Sequence, residues 1–253
     1  MFSAKQLEKL EAAKAEALWK SFRLISRAML LPYRTEKARE YASHGFGRRI
    51  KTLDHCLERV FQYLSPSDAT LPDRAAVMDA TAFVQTFLVN CYGAFDNLAH
   101  IWVAERDVRD KQGRPIGRNS IGLTPKYSLV RESLPPVLRD KLADYDDWFG
   151  YLEDYRHALA HRIPVYIADR AYGPADVDKV TALRAEKSVA YEGGDFDEIN
   201  RIMNEEEKIG AFNPLMMHSY GERARPIYFH SQMLCDHATV TEFGSIFFDA
   251  LEV

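Results

Sequence analysis

The chain has 253 residues, a length that allows one large domain or two small ones. Hydrophobic residues make up 47% of it and charged residues 28%, an ordinary balance for a globular protein. The net charge of −4 excludes a surface that is basic throughout, although it leaves room for a local basic patch. The three cysteines are widely spaced, which predicts neither a disulfide framework nor a metal site and favours a reducing cytoplasm. The longest apolar stretch, residues 82–94, is too short and too polar to span a membrane.

Hydrophobic periodicity predicts two helices near the start of the chain. The first covers residues 3–30 and ends before Pro32, which cannot continue it. The second covers residues 47–64, where apolar residues recur at alternating spacings of three and four. Gly45-Phe46-Gly47, just before this helix, is interpreted as a helix break.

A third helix is predicted from near Pro72 to about Arg106. Because it is apolar on nearly every side, we expect it at the centre of a helical bundle. Residues 107–132 follow as a long loop rich in glycine and proline, and they form the most basic stretch of the chain. Long loops inside compact domains are often functional, although a solvated surface loop is the simpler interpretation.

The second half of the chain predicts a fourth long helix, from about Ser133 to Arg162, which Pro164 ends. Further elements are a short extended piece at 165–167, two acidic surface helices within 175–210 that break at Gly193-Gly194, and a last helix over about 231–251. A hairpin is predicted near residues 214–230, with Leu215–His218 against Pro226–His230 and Tyr220-Gly221 at the turn. The expected fold is therefore mainly all-α, an up-and-down bundle with a small hairpin, in a single domain over 1–253.

The fourth helix carries the most informative polar residue. With about 100° per residue, its apolar residues fall on one stripe, and Arg156 lies in the middle of that stripe. A buried guanidinium needs an anion or a cavity, and Asp96 or Asn97 of the third helix could supply its partner. His161 lies about 140° from Arg156 on a regular helix, so the two meet only if the last turn unwinds or if two chains combine across a symmetric interface.

Arg156 and His161, at the end of a long helix in an all-α chain, resemble the motif of the HEPN superfamily (higher eukaryotes and prokaryotes nucleotide-binding), which is Arg, four to six residues, His. The strings Gly93–Ala99 and Leu159–Pro164 also resemble those of an uncharacterised bacterial HEPN-like group. The resemblance covers the middle third of the chain and implies a HEPN-like core of about 47–165 plus the helix 231–251. The same spacing also occurs at Arg39–His44, at Arg48 or Arg49 with His55, and at Arg223 or Arg225 with His230.

The resemblance implies a dimeric, metal-independent endoribonuclease without a cofactor, in a defence or toxin–antitoxin setting. Arg156 would hold the scissile phosphate and His161 would act as general acid or base. Asp96, Asn97 and His157 would support them. The basic loop would guide RNA through Arg109, Lys111, Arg114 and Arg118. Some members carry a tyrosine two residues after the histidine, where this chain has Ile163, so a regulatory tyrosine is not expected.

Two alternatives stay open at this point. One is a non-catalytic helical module that dimerises or binds RNA with the same face, since activity does not follow from a fold. The other is a metal site, because Asp154, His157 and His161 share one helical face at spacings of three and four. Besides these two functional alternatives, Arg156 could have a purely structural role as a buried ion pair with Asp96, which would need no ligand at all.

Overall fold

The computed structural model describes residues 2–68, 70–219 and 226–252. Its chain begins with helix α1 (Ala4–Leu30), the short helix α2 (Glu36–Glu40), a π-helical segment (Tyr41–Phe46) and helix α3 (Gly47–Tyr63). Helix α4 (Arg74–Arg106) and a 3₁₀ turn (Arg118–Ser120) follow. The mainly all-α fold predicted from the sequence is confirmed.

The remaining elements of the described residues are six helices and three short strands. They are α5 (Ser128–Ser133), α6 (Pro136–Asp144), α7 (Asp146–His161), β1 (Tyr166–Ile167), α8 (Pro174–Gly193), α9 (Phe196–Glu206), β2 (Leu215–Met217), β3 (Ile227–Tyr228) and α10 (Phe229–Glu252). No helix among the described residues is long and apolar enough to cross a membrane.

Helix α4 lies at the centre of the bundle, as its all-round apolar surface predicts. It packs against α3, α10, α7, α2, the π-helical segment and β1. On its far side from α3, the ring of Phe95 stacks on Phe243 of α10 and meets Phe149 of α7 edge-on, with centroids 5.1 and 4.9 Å apart. Such a central position means that α4's polar side chains must find partners on neighbouring helices.

The predicted hairpin is present and has a third strand. β2 pairs antiparallel with β3, and β1 adds to the other edge of β2, so that the order is β1-β2-β3. The predicted turn at Tyr220-Gly221 lies outside the described residues. The two predicted acidic helices are α8 and α9, which share a separate small cluster of buried aliphatic residues. Their break lies at Gly194, whose positive φ of 69° suits a residue without a side chain.

Two predictions about helix boundaries are wrong. The single fourth helix over Ser133–Arg162 is instead α5, α6 and α7. Leu134 is extended because a proline follows it, and Pro136 then begins α6. The second break is at Tyr145, which separates α6 from α7 with φ −98° and ψ 3°. The predicted break at Gly45-Phe46-Gly47 is also wrong, because the π-helical segment connects α2 to α3 without leaving helical geometry.

Candidate functional site

The predicted residues Arg156 and Asp96 lie at one place, where α7 crosses α4. The Arg156 guanidinium lies over the ring of Tyr92, 4.5 Å from its centroid, in a cation–π contact. Burial raises the pKa of the Asp96 carboxyl, and the charges of Arg156, Arg49 and Lys126 oppose that rise. Arg156 itself is half-buried. The charges of Arg156 and Asp96 therefore interact at the edge of the core. Among the described residues the two side chains form no hydrogen bond or ion pair with each other, so the alternative of a structural ion pair is not supported.

Asn97 serves a different cation from the one predicted. Its Oδ1 accepts a hydrogen bond of 2.9 Å from Nε of Arg49 on α3, and Asn90 Oδ1 accepts one of 3.0 Å from Nη1 of the same guanidinium. Asp96 and Asn97 are adjacent in α4, so they point about 100° apart. As a result Asp96 faces α7 while Asn97 faces α3, and the supporting role of Asn97 toward Arg156 is not seen.

Two glycines make room for this second cation. A Cβ atom at Gly93 would lie 2.3 Å from the Arg49 guanidinium carbon, and one at Gly45 would lie 2.8 Å from Asn97 Nδ2. Any larger residue at either position would have to displace the polar side chains. Arg49 is half-buried in this slot, and burial lowers the pKa of its guanidinium while Asp96 opposes that fall.

Lys126, at the end of the basic loop, is the third cation of the cluster. Its Nζ lies 3.0 Å from Glu153 Oε1 on α7, and its charge reaches both Asp96 and Tyr92. We call the group formed by Arg49, Tyr92, Asp96, Lys126 and Arg156 the α3–α4–α7 cluster. Three permanent cations share two carboxylates there, those of Asp96 and Glu153, so the site has an excess of positive charge.

His161 and His157 lie beside this cluster on exposed helix surface. Helix α7 stays regular to its end, because the backbone N–H of Arg162 still donates to the carbonyl of Ala158. The last turn therefore does not unwind, and His161 keeps its predicted angle of about 140° from Arg156. The His157 and His161 rings are 6.4 Å apart, and His157 Nε2 lies 3.8 Å from Glu153 Oε1.

The residues of the proposed metal site do not come together. Asp154 is engaged by Arg162, whose Nη2 donates to its side chain at 3.2 Å and to its carbonyl at 3.0 Å. In the described ranges, no group of three or more His, Cys, Asp and Glu side chains has a geometry that could hold a metal ion. The metal alternative built on Asp154, His157 and His161 is therefore not supported.

The cations of the basic loop differ in how free they are. Arg109 donates to Asp107 and to the carbonyl of Gly113, and Arg114 pairs with Asp110, so two of the four predicted RNA contacts are already paired. Lys111 is exposed in the same turn. Arg118 is exposed and lies near α4, where its charge, with that of Lys37, helps burial to lower the pKa of His100.

A groove of about 510 Å³ adjoins the cluster on its α3 side. Asn97 lines it, so the groove reaches the residue that holds Arg49. Its other lining residues come from α2, the π-helical segment and the start of α3, and they are Lys37, Glu40, Tyr41, His44, Gly45 and Arg48. The His100 ring stacks on Tyr41, with their centroids 4.4 Å apart, and the charge of Arg118 acts on the same imidazole.

A buried Ser–His–Asp group elsewhere has the wrong geometry for catalysis. The Ser21 hydroxyl donates to Asp54 Oδ1 at 2.6 Å, and His237 Nε2 lies 2.8 Å from that oxygen and 3.0 Å from the hydroxyl. A catalytic triad needs the hydroxyl and the carboxylate at opposite ring nitrogens, whereas here both lie at Nε2. Ser21 and His237 are also fully buried, so the group connects α1, α3 and α10 structurally.

The sequence singled out Arg156 and Asp96, named Arg49 only in the alternative pair with His55, and singled out neither Lys126 nor Tyr92. A signal for Arg49 existed, because it precedes Leu53, Cys56 and Val60 at spacings of four, three and four, and those three are buried. The chain matches no known protein-family model, no curated protein and no solved structure with which we compared it. The HEPN resemblance therefore stays a prediction.

Proposed function

We propose that the α3–α4–α7 cluster binds the phosphate backbone of RNA and that the protein is a metal-independent endoribonuclease of the HEPN type. The supporting observation is that three cations, Arg49, Lys126 and Arg156, lie close enough to Asp96 for their charges to act on its carboxyl. Their direct contacts are with other groups: Arg49 donates to Asn97, Lys126 pairs with Glu153, and the Arg156 guanidinium lies over Tyr92. Two guanidiniums and an ammonium beside two carboxylates, those of Asp96 and Glu153, leave positive charge that a phosphodiester can neutralise. Arginine suits this role because its planar fork can bind two phosphate oxygens at once.

The neighbouring groove supports a polynucleotide rather than a small anion. Lys37 and Arg48 line it, and Asn97 connects it to Arg49. An RNA strand could thus place successive phosphates at Arg156, at Arg49 and in the groove, with Arg118 nearby. Each phosphate contact of this kind releases counterions, so binding should weaken steeply as the salt concentration rises.

The proposed chemistry is a transesterification within RNA. The ribose 2′-oxygen attacks the adjacent phosphorus and the 5′-oxygen of the next nucleotide leaves, which produces a 2′,3′-cyclic phosphate and a 5′-hydroxyl end. A base must take the 2′ proton and an acid must supply a proton to the leaving oxygen. One chain offers a single exposed His161, which can serve as the base or as the acid. A homodimer in which two α7 ends face each other would provide both groups. It would also bring the second copy's His161 to Arg156.

A labelled RNA incubated with pure protein and chelator tests the proposal. Arg156→Gln should lower the cleavage rate about 10²–10³-fold, as for the loss of one donor to a developing anion. His161→Gln should lower it about 10²–10⁴-fold by removing proton transfer. Arg139→Gln, on the exposed surface of α6, is the matched control and should cleave like wild type.

Two outcomes would contradict this assignment. If Arg156→Gln and His161→Gln both cleave as fast as wild type, the site is not catalytic. If His55→Gln abolishes cleavage while His161→Gln does not, the alternative pair Arg49 and His55 carries the motif instead. Product analysis adds a third check, since a 3′-hydroxyl end would exclude attack by the 2′-oxygen.

The second candidate is an RNA-binding module without catalysis. It is favoured by the regular end of α7, which keeps Arg156 and His161 of one chain on different faces. In this case wild type binds RNA without cutting it, Arg156→Gln weakens binding, and His161→Gln leaves binding unchanged. Fluorescence anisotropy with an uncleaved RNA, measured at several salt concentrations, separates the two candidates.

A further inference from the structure

Helix α1 has two apolar faces, and among the described residues only one of them packs against the rest of the chain. Leu10, Ala17, Leu24 and Ala28 are buried on the inner face, where α1 packs against α10, α3 and the π-helical segment. The outer face shows large apolar side chains to solvent. Trp19, Phe22 and Met29 are exposed by 60%, 63% and 55%, and the rings of Trp19 and Phe22 stack on each other.

The outer face has the spacing of a coiled-coil seam. Its residues recur at steps of three, four, three, four and three, and they are Ala12, Ala15, Trp19, Phe22, Ser26 and Met29. Such a strict heptad is typical of a contact with another helix, whereas a helix that packs on a globular core uses a wider stripe. The seam is about 27 Å long at 1.5 Å per residue. Aromatic residues and methionine are also the types enriched at the centre of protein interfaces.

We propose that a second copy of this chain docks on this seam, with the two α1 helices antiparallel. A two-fold axis between Trp19 and Phe22 places Trp19 against the second copy's Phe22. The same register places Ala15 against Ser26 and Ala12 against Met29. At each end the long Met29 thus meets the small Ala12, Ala15 meets the equally small Ser26, and the two aromatic pairs fill the centre.

The charges beside the seam favour the antiparallel arrangement over the parallel one. Glu16 and Arg23 flank it on the same side, and the antiparallel register brings Glu16 of each copy next to Arg23 of the other. Within one chain Glu16 pairs with Lys20 at 2.7 Å, and Arg23 is exposed. A parallel dimer would instead bring Glu11 next to Glu16, two like charges that repel.

This contact does not depend on the proposed ribonuclease site. Helix α7 packs on α4 and α6 and hydrogen-bonds to Asp236 of α10, whereas the outer face of α1 is exposed to solvent and carries no residue of the α3–α4–α7 cluster. A face-to-face contact of α7 ends would therefore be a second interface with its own symmetry axis. Loss of RNA cleavage and loss of the α1 contact are separate results.

The first test measures molar mass by sedimentation over a range of protein concentrations. Trp19→Glu should raise the dissociation constant of the dimer at least about tenfold, the equivalent of about 1.4 kcal/mol. The matched control is Val189→Glu on α8, where the valine is 69% exposed and belongs to no heptad seam. It should leave the dissociation constant unchanged, and circular dichroism should show unaltered helix content in both variants.

The second test determines whether the two α1 helices are antiparallel or parallel. Glu16→Arg and Arg23→Glu should each weaken the dimer, and the chain that carries both should recover it. With Cys235 replaced by serine, Ala15→Cys combined with Ser26→Cys should form a disulfide between copies under an added oxidant, whereas Ala15→Cys alone should not. A monomer at all concentrations, an unaffected Trp19→Glu dimer, or a disulfide through Ala15→Cys alone would each overturn the proposal.

Discussion

The carboxyl of Asp236 should make the stability of the fold depend on pH in an unusual direction. This side chain of α10 is fully buried, and it accepts hydrogen bonds from Trp148 Nε1 at 2.8 Å, Gln232 Nε2 at 2.7 Å and the Tyr151 hydroxyl at 3.4 Å. Burial raises its pKa from 3.8 to about 6, although these bonds oppose the rise. Trp148 and Tyr151 belong to α7, so Asp236 also fixes the helix that carries Arg156.

The magnitude follows from the difference between the folded and unfolded pKa values. A folded pKa above the unfolded one means that the folded chain binds the proton more tightly, so ionisation of Asp236 opposes folding. The cost is absent below about pH 4, grows between about pH 4 and pH 6, and is complete above that range. Two pKa units correspond to about 3 kcal/mol.

Asp236→Asn removes this cost and keeps the shape of the side chain. Its Oδ1 can still accept from Trp148 and Gln232, and its Nδ2 can donate to the Tyr151 oxygen. The free energy of unfolding, measured with urea at about pH 4, 6 and 8, should rise in the variant relative to wild type by up to about 3 kcal/mol toward the highest pH. Asp147→Asn, on the exposed side of α7, is the control and should show no such trend.

A difference between Asp236→Asn and wild type that stays constant over the whole pH range would refute this reasoning. It would mean that the three hydrogen bonds hold the folded pKa near its unfolded value. If the stability of the variant relative to wild type fell as the pH rose, the reasoning would also be refuted. That result would show that the hydrogen bonds stabilise the ionised carboxylate by more than burial destabilises it.

Two further variants test the packing around the cluster and the core. Gly93→Ala should displace Arg49, since its Cβ would lie 2.3 Å from the guanidinium, and should weaken RNA binding without unfolding the chain, as anisotropy and circular dichroism can show. Ser21→Ala removes the hydroxyl between Asp54 and His237 and should lower the free energy of unfolding in urea by about 1–3 kcal/mol; an unchanged value would show that the buried pair does not need it.

The helices that could be predicted from the sequence are those whose apolar residues keep a helical spacing without interruption. α1, α3 and α4 end within two residues of their expected boundaries, because their apolar residues keep a constant phase and prolines or turn residues follow. The fourth helix was predicted as one because the stripe keeps its phase across the break: Leu138 and Leu142 in α6 and Phe149 and Leu152 in α7 are all buried. Periodicity reports which side chains face the core, and it does not report whether the backbone between them is continuous.

The site was predictable only in part for a related reason. Arg156 could be singled out because a cation on an apolar stripe needs a partner for its charge. Asp96 could be singled out because it is an acid in the most buried helix. Arg49 belongs to a helix with a strong stripe of its own, and its slot exists only because Gly93 and Gly45 allow close approach. That fit depends on the packing of α3 against α4, a tertiary fact that no local pattern records. Lys126 belongs to the loop, whose path no helical rhythm describes.

The central position of α4 explains how one carboxylate comes to be surrounded by cations. A peripheral helix turns its polar residues to solvent, but α4 has neighbours on nearly all sides, so adjacent polar residues must serve different helices. Asn97 turns to α3 and holds Arg49, while Asp96 turns toward α7 and Arg156. Helices α3 and α7 each contribute a guanidinium, whereas α4 contributes a single acid between them. The resulting excess of charge at the edge of the core is what a phosphate group would neutralise, and it arises from the packing arrangement itself.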